Sequence, residues 1–439
     1  MFASLDVFSY FLLYDFRKDD IMHVTKMKGT LDFFDDSALK YQFLEDKANM
    51  VCHRFGFNKM ITPIFEATEL FTRGVGEGSD IVNKEMYTFL DKGERSITLR
   101  PEGTASVTRA YVENKLYATP GLKKYYYFGP MFRYERPQAG RYRQFTQFGI
   151  EALGPGSSYL DAEIINFAST YLKEIGFTKL KVLINNIGSG ESRKNYEQAL
   201  KDYFKDHLDE LCSDCKVRYE KNPLRMLDCK VDHDSPVMKN APSIFDYLTI
   251  EDKKYFDDIC EILNQLNIKY EISDRLVRGL DYYTNVVFEF IYDDPTSSIN
   301  GITVLAGGRY NGLARELGGP DTDAIGFACG IERLIIALDE LGKFTDIRDN
   351  ALFQVITIGE NAKIPGIKLA NEIRERGNYV EIDYVSHNLK PQFKLSDRCH
   401  AKYLVIMGED EIKTDSYKVK NTQTQEEKIM TKEEILNLK

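Results

Sequence analysis

Apolar residues recur along the chain with two periods. From 37 to 56, Leu39, Phe43, Leu44, Ala48 and Val51 fall at helical spacing and Gly56 follows as a stop, which predicts an amphipathic helix. Residues 24–27 read as a first strand, and 59–64 as a second that Pro63 pushes to an edge or interface, since proline cannot donate to a ladder. Two aromatic, β-prone runs, 125–134 and 144–153, flank the polar stretch 136–141 and predict an antiparallel hairpin. The helical period returns at 161–175, with Ile164, Ala168, Tyr171, Leu172 and Ile175 on one stripe, and 180–184 returns to strand. Residues 190–266 are highly charged and helix-like, an expected insertion between sheet strands. β character resumes at 286–292, 306–312 and 324–330, and 331–341 closes with a helix.

Past the polar stretch 342–350 the pattern changes to strand 352–358, helix 365–376, strand 379–384, helix 392–399 and strand 403–408. Such alternation predicts a small α/β domain with a mostly parallel sheet. The expected organisation is therefore an extension at 1–22, a large domain at 23–341, a linker at 342–350 and a small domain at 351–439. The apolar run at 7–14 is too short to span a bilayer, and Asp6 stands where a signal peptide would be basic. Met22 just before the first strand suggests that 1–22 is an extension from an upstream start codon.

Composition narrows the classes. With 439 residues, 43% hydrophobic and 29% charged, the chain can bury a sizeable core and is neither collagenous nor disordered. A net charge of −10 argues against wholesale coating of nucleic acid, so any polyanion must be met locally. Residues 121–147 supply such a place: Lys123, Lys124, Arg133, Arg136, Arg141 and Arg143 against Glu135 alone give a local +5. Nine aromatics interleave with these charges, which suits a planar base beside phosphates. The bland alternative is a solvated hairpin face with core aromatics behind it. Seven scattered cysteines suit a reducing cytosol. Cys212, Cys215, Cys229 and His233 have zinc-like spacing, yet ordinary reduced thiols are the simpler reading and no metal is assigned to the site.

The chain has no Walker loop, and neither 74–78, read as a mobile loop near the substrate, nor 306–308 has the setting of a dinucleotide fold. Phosphate must then be held by side chains, for which the planar, always-charged guanidinium is suited. Arg133-Tyr134-Glu135, its loop, and Arg141 to Phe145 resemble the ATP hairpin of class II aminoacyl-tRNA synthetases. Further segments follow in order: Lys28-Gly29-Thr30 with Asp32, Leu99-Arg100-Pro101-Glu102-Gly103-Thr104, Gly129 to Gln138, Leu276-Val277-Arg278-Gly279-Leu280-Asp281-Tyr282-Tyr283 and Gly326 to Arg333. Together they resemble the histidyl-tRNA synthetases of bacterial type, over roughly 24 to 439. Lys28 stands where Arg is common, and Thr146 where His or another polar residue is usual.

The resemblance implies an α+β catalytic domain with a mostly antiparallel sheet flanked by helices, plus a C-terminal α/β anticodon-binding domain. It implies ATP-dependent ligation of L-histidine to tRNA(His) in the cytoplasm by a homodimer paired through the 37–56 helix and the Pro63 strand, with ATP and Mg2+ as a substrate complex, no prosthetic group and no membrane. Arg133 would hold the α-phosphate, Arg333 the γ-phosphate, and Phe145 would stack on adenine, with Glu135 and Arg141 in the same ATP site. Arg278 would bridge the α-phosphate and the histidine carboxylate, making Arg278 and Arg133 the catalytic pair. Glu102, Thr104 and Gln147 would take the ammonium, and Glu151 and Tyr283 would read the imidazole. Gly103, Tyr282 and Tyr310 would complete the histidine site, and Arg136 and Gln138 would meet the tRNA acceptor end. The competing reading is the histidine-binding regulatory subunit of ATP phosphoribosyltransferase, which predicts eroded phosphate-binding arginines and no anticodon domain. A synthetase-like sensor of uncharged tRNA would sit beside a kinase domain, which this sequence lacks.

Overall fold

The computed structural model describes residues 24–438 except 77, 78, 80, 139, 346, 348, 349, 386 and 387. The expected extension 1–22, part of the 74–78 loop and part of the 342–350 linker lie outside the described residues. Two compact units are present, one ending at Phe344 and one beginning at Thr345.

The first unit is built on an eight-stranded sheet. Its strands run in the order Asn58–Lys59, Lys123–Phe132, Gln144–Leu153, Ala324–Gly330, Thr303–Arg309, Thr284–Tyr292, Leu180–Asn186 and Glu271–Ile272. The outermost pair at each edge is parallel and every pair between is antiparallel, so the expected mostly antiparallel sheet is what forms. Charged helices Gly190–Lys205, Ser213–Lys221 and Ile250–Gln265 occupy the chain between Leu180–Asn186 and Thr284–Tyr292.

Side-chain alternation decides what each sheet face does. Along Gln144–Leu153, Phe148 turns toward the helices, its ring 4.7 Å from Tyr171 and 5.8 Å from Phe327. Tyr171 belongs to the helix Ser158–Glu174, which starts where the Ser157 hydroxyl accepts the Leu160 N–H at 3.2 Å. The helix Asp35–Arg54 begins with the Ser37 hydroxyl accepting the Phe34 N–H at 2.9 Å, carries Asp35 and Asp36 in its first turn and His53 and Arg54 in its last, and buries Leu44, Ala48, Val51 and Cys52. One buried ion pair crosses these layers. Arg309, from the strand Thr303–Arg309, meets Asp161 at side-chain exposures of 3% and 0%, and the Tyr255 hydroxyl donates to the same carboxylate at 2.9 Å.

Two expected strands do not form as such. Residues 24–27 pair with no strand among the described residues, and Val24 and Met27 are exposed; the chain turns there, with Thr30 N–H donating to the Met27 carbonyl at 3.1 Å. The 59–64 strand shrinks to Asn58–Lys59, and the Met60 N–H makes a last bond to the Tyr126 carbonyl at 2.8 Å before the chain leaves the sheet ahead of Pro63. The rest is tied down by Arg100, whose guanidinium donates to the carbonyls of Pro130 and Thr62 and to the Thr62 hydroxyl at 2.9–3.0 Å. A three-stranded sheet of Phe65–Ala67, Ser96–Leu99 and Tyr87–Leu90 has no forecast in the apolar pattern, its strands being too short to show a period.

The second unit has a five-stranded sheet. Val380–Ile382, Phe353–Thr357 and Tyr403–Met407 run parallel, but Tyr417–Asn421 and Glu427–Met430 add an antiparallel pair, so the sheet is mixed rather than mostly parallel. Lys418, Lys420 and Lys428 hide those two strands in a polar composition.

Replacing Asp161 by Ala would strip the buried Arg309 guanidinium of its close carboxylate and leave it Asp323 at 3.9 Å and the Asn311 Oδ1 at 3.1 Å, at a cost of about 3 kcal/mol. Lys40→Ala, which removes the exposed pair with Asp339, should cost under about 1 kcal/mol. Urea unfolding of both variants checks this, and equal midpoint shifts would contradict it.

Candidate active site: a cleft with acidic and basic ends

Alternation places Phe145, Gln147, Gly149 and Glu151 on the sheet face opposite Phe148. This face floors a cleft of about 510 Å3. The neighbouring strand sets Gly326 opposite Glu151 and Gly330 opposite Gln147. A Cβ on Gly326 would collide with the Glu151 carboxylate, and one on Gly103 or Gly149 would collide with the Tyr127 ring. Close approach therefore requires glycine at these positions.

One end of the cleft holds two buried carboxylates. Glu151, 1% exposed, accepts from the Thr104 hydroxyl at 2.7 Å and from the Tyr310 hydroxyl. Burial raises its pKa to about 8, with the donated hydrogen bonds opposing and the charge of Glu102 adding to the rise. Glu102 caps the helix Thr104–Glu113, accepting the N–H groups of Thr104 at 2.7 Å and Ala105 at 2.8 Å. Burial nonetheless lifts its pKa above the ordinary carboxylate value. Tyr282 closes this end, its ring centroid 4.8 Å from Tyr283 and 5.6 Å from Tyr310. The Gln147 Oε1 is buried with no hydrogen-bond partner among the described residues, an acceptor available to a donor from a ligand.

The other end is cationic. Arg133 donates from Nε to the Pro101 carbonyl at 2.8 Å and lies over the Phe145 ring at 5.3 Å. Glu135 is shared between Arg133 at 3.8 Å and Arg141 at 3.6 Å. Arg333, in the first turn of the helix Ile331–Glu340, donates to the Thr303 carbonyl at 3.2 Å. Burial, and then the like charge of Arg141, hold the Arg333 pKa below its ordinary value. Arg278 pairs with Glu289, while its Nε is buried without a partner among the described residues. Guanidiniums that repel one another and keep unused donors make a site for an anion with several oxygens.

The fold thus brings Glu102, Thr104, Gln147, Glu151, Tyr282, Tyr283 and Tyr310 together with Arg133, Glu135, Arg141, Phe145, Arg278 and Arg333 around one cleft. Gly103, Arg136 and Gln138 do not line it. Gly103 makes room for Tyr127, and Arg136 and Gln138 are exposed on the hairpin loop. The local +5 is also not one patch: Lys124 is held by Glu163 at 2.6 Å, and Arg143 stacks on Tyr134 at 4.2 Å. Of the interleaved aromatics only Tyr142 and Phe145 reach the cleft, while Tyr126, Tyr127 and Phe148 are buried. Two residues that sequence reasoning missed complete the arrangement. Glu289 is the lone charge in the strand Thr284–Tyr292, a signal that could have marked it. Buried Glu332 accepts the Thr146 N–H at 2.8 and 3.0 Å, locking the Arg333 helix to the hairpin.

Residues 29–334 match the family described as Histidyl-tRNA synthetase, and 353–438 match one described as Anticodon binding domain. A histidine–tRNA ligase of Anoxybacillus flavithermus is 48% identical over 402 residues, covering 91% of this chain and 95% of that protein. The crystal structure of apo S. aureus histidyl-tRNA synthetase superposes with a TM-score of 0.81 at 38% identity, covering 94% of this chain and 99% of that one. A structure titled as an ATP phosphoribosyltransferase regulatory subunit/histidyl-tRNA synthetase from Bacillus halodurans shares the fold at 21% identity and a TM-score of 0.63, covering 88% of this chain and 98% of that one.

The raised pKa of Glu151 sets a pH dependence. An acid whose folded pKa lies above its unfolded value takes up a proton on folding, so its contribution is fully present below the unfolded pKa and is lost as pH rises toward about 8. Glu151→Gln should therefore flatten the decline of thermal stability between about pH 5 and 8 in the ligand-free protein, measured by melting temperature against pH. A variant whose profile parallels that of the parent would contradict the assignment of the raised pKa to Glu151.

Proposed function

Because the chain belongs to the histidyl-tRNA synthetase family, we propose that it ligates L-histidine to tRNA(His) through a histidyl-adenylate, with ATP and Mg2+ entering as a substrate complex. The observation that carries this reading is one cleft that holds the buried carboxylates of Glu102 and Glu151 at one end and the guanidiniums of Arg133, Arg141, Arg278 and Arg333 at the other. An amino acid brings an ammonium that needs acceptors and a carboxylate that needs cations. ATP brings more negative charge to the same junction.

In the first step a histidine carboxylate oxygen attacks the α-phosphorus. The new P–O bond forms as the bond to the β-phosphate bridging oxygen breaks, and pyrophosphate leaves with the electron pair. Charge grows on the α-phosphoryl oxygens and on the leaving group, where Arg133, Arg278 and Arg333 supply preorganised donors. Arg278, with its free Nε, bridges the histidine carboxylate and the α-phosphate; Phe145 stacks on adenine, and Glu135 and Arg141 complete the ATP site. Glu102, Thr104 and the unpaired Gln147 Oε1 take the ammonium. Glu151 faces the imidazole with Tyr283; Tyr282 and Tyr310 shape that pocket, and Gly103 makes room for the Tyr127 ring behind it. A buried carboxyl with a pKa near 8 and an imidazole of ordinary pKa about 6.5 hold a proton between them at neutral pH. An apolar isostere would leave this pair unsatisfied. In the second step a terminal ribose hydroxyl of the tRNA takes the histidyl group and AMP leaves, with Arg136 and Gln138 guiding the acceptor end from the exposed loop.

The reading as a histidine-binding regulatory subunit is the weaker one. It leaves the converging guanidiniums without an anion to serve, and the likeness to the Bacillus halodurans structure extends only to the fold. The protein acts as a cytoplasmic homodimer on this proposal. Ile61, Ile64 and Phe65 are exposed apolar residues flanking Pro63 and support pairing there. No helix among the described residues is long and apolar enough to cross a membrane.

Arg278→Ala should abolish histidine-dependent charging of tRNA(His) and leave the fold intact. Arg278→Lys should also be poor, since a point charge cannot bridge two oxyanions, with losses on the order of a hundredfold to a thousandfold. Near-normal charging by a folded Arg278→Ala would refute the proposed role. Arg136→Ala should impair charging more than adenylate formation, and equal losses would put Arg136 in the ATP site. In the second unit, exposed Lys390, Lys394 and Arg398 lie four residues apart on the helix Leu389–Cys399, one basic face suited to a phosphate backbone. Changing all three to Glu should raise the KM for tRNA and reduce its salt dependence while leaving adenylate formation unchanged. An unaltered KM and salt slope would remove this face from tRNA binding.

A further inference from the structure

The 212–233 segment contains a side-chain cluster that the ligation chemistry does not use. Cys212 caps the helix Ser213–Lys221, Cys215 lies in its first turn, and Cys229 follows the 3-10 helix Pro223–Asp228. Folding brings their three Sγ atoms and one carboxylate oxygen of Asp232 within 4.8 Å of one another. Cys215 is 0% exposed, Cys229 3% and Asp232 9%. His233, the fourth position of the sequence pattern, is not part of it: its side chain is 59% exposed and pairs with Asp234 at 2.9 Å. The cause is a helical turn in which His233 N–H donates to the Cys229 carbonyl at 3.1 Å, so residue 232 rather than 233 points back at the sulfurs.

We propose that Cys212, Cys215, Cys229 and Asp232 bind one tetrahedral divalent cation of the zinc class. Bonds of about 2.3 Å to sulfur and about 2.0 Å to carboxylate oxygen set S···S edges of about 3.8 Å and S···O edges of about 3.5 Å around such an ion. Cys212 and Cys229 are 3.6 Å apart at sulfur, and Cys229 Sγ is 3.5 Å from Asp232 Oδ2. A merely apolar thiol cluster gives no reason to bury a carboxylate, and no Lys, Arg or His among the described residues forms an ion pair with Asp232. Backbone donors already serve the ligands: Cys212 N–H donates to Asp232 Oδ2 at 3.0 Å, and Asp232 N–H donates to Cys229 Sγ at 3.3 Å. Binding releases three thiol protons to solvent and leaves three thiolates and one carboxylate around a dication, a net −2 that faces the N-terminus of Ser213–Lys221. All four positions are filled by protein, which makes the site structural.

What it holds is a wall of the cleft. Asp228, Cys229, Lys230 and Val231 line the cleft beside Arg278. Just before them, Arg225 donates to the Gly279 carbonyl and Asn222 to the Asp281 carboxylate, both at 2.9 Å. The cation therefore fixes the insertion against the segment that carries Arg278.

The test uses the full chain. Purified without chelator, it should contain about one zinc per chain by elemental analysis. After metal removal under reducing conditions, cobalt should restore tetrahedral ligand-field bands and a thiolate-to-cobalt charge-transfer band, saturating at one equivalent. Cys229→Ser and Cys212→Ser should lose that spectrum, Asp232→Asn should weaken cobalt binding by about tenfold or more, and His233→Ala should keep it intact. Should the cysteine variants fail to fold, thiol labelling of the parent decides: zinc must slow modification of Cys212, Cys215 and Cys229 while leaving Cys260 and Cys399 unchanged. A reduced parent protein that shows no cobalt spectrum and no zinc protection overturns the proposal, as does loss of the spectrum in His233→Ala.

Discussion

Along the strand Gln144–Leu153 successive side chains point to opposite faces of the sheet, and the rest of the structure depends on that alternation. Phe148 and its like-facing neighbours join the aromatic cluster with Tyr171 and Phe327, which anchors the helix Ser158–Glu174. Phe145, Gln147 and Glu151 are then forced into the cleft. A register slip of one residue would exchange the two sets, burying a carboxylate among phenyl rings and exposing the core. Pairing on both sides, with Lys123–Phe132 and with Ala324–Gly330, makes such a slip costly.

The two buried carboxylates and the guanidiniums of the cleft have separate partners. Glu102 and Glu151 are stabilised by hydroxyl and amide donors, while the guanidiniums are restrained by Glu135, Glu289 and backbone carbonyls. Glu102 and Glu151 form no ion pair with these guanidiniums among the described residues, and Gln147 and Phe145 share the sheet face between the two ends. Burial raises the pKa of both carboxylates and, with the like charge of Arg141, lowers that of Arg333. A zwitterionic amino acid beside a polyphosphate complements both ends of the cleft.

Much of this was legible in the chain. Helical spacing located Asp35–Arg54, aromatic β-prone runs located the hairpin, and the ordered motifs located both ends of the cleft. What escaped sequence reasoning depends on contacts distant in sequence. Counting charge over 121–147 could not show that Lys124 is spent on Glu163. Glu289 acquires meaning only when Arg278 folds against it, eleven positions back. The cysteine spacing suggested His233, but a single helical turn selects Asp232. The strands Tyr417–Asn421 and Glu427–Met430 were hidden by Lys418, Lys420 and Lys428, and the Lys418–Glu427 pair at 2.6 Å that joins them spans residues distant in the pattern.

The central claim is that one cleft joins histidine to the α-phosphate of ATP, reading imidazole at its acidic end and phosphate at its basic end. ATP–pyrophosphate exchange with each of the common amino acids supplied singly tests it most directly, because the assay reports adenylate formation without tRNA. Exchange is predicted with histidine and with no other. Exchange driven by a different amino acid, or none with histidine in a folded protein, would contradict it.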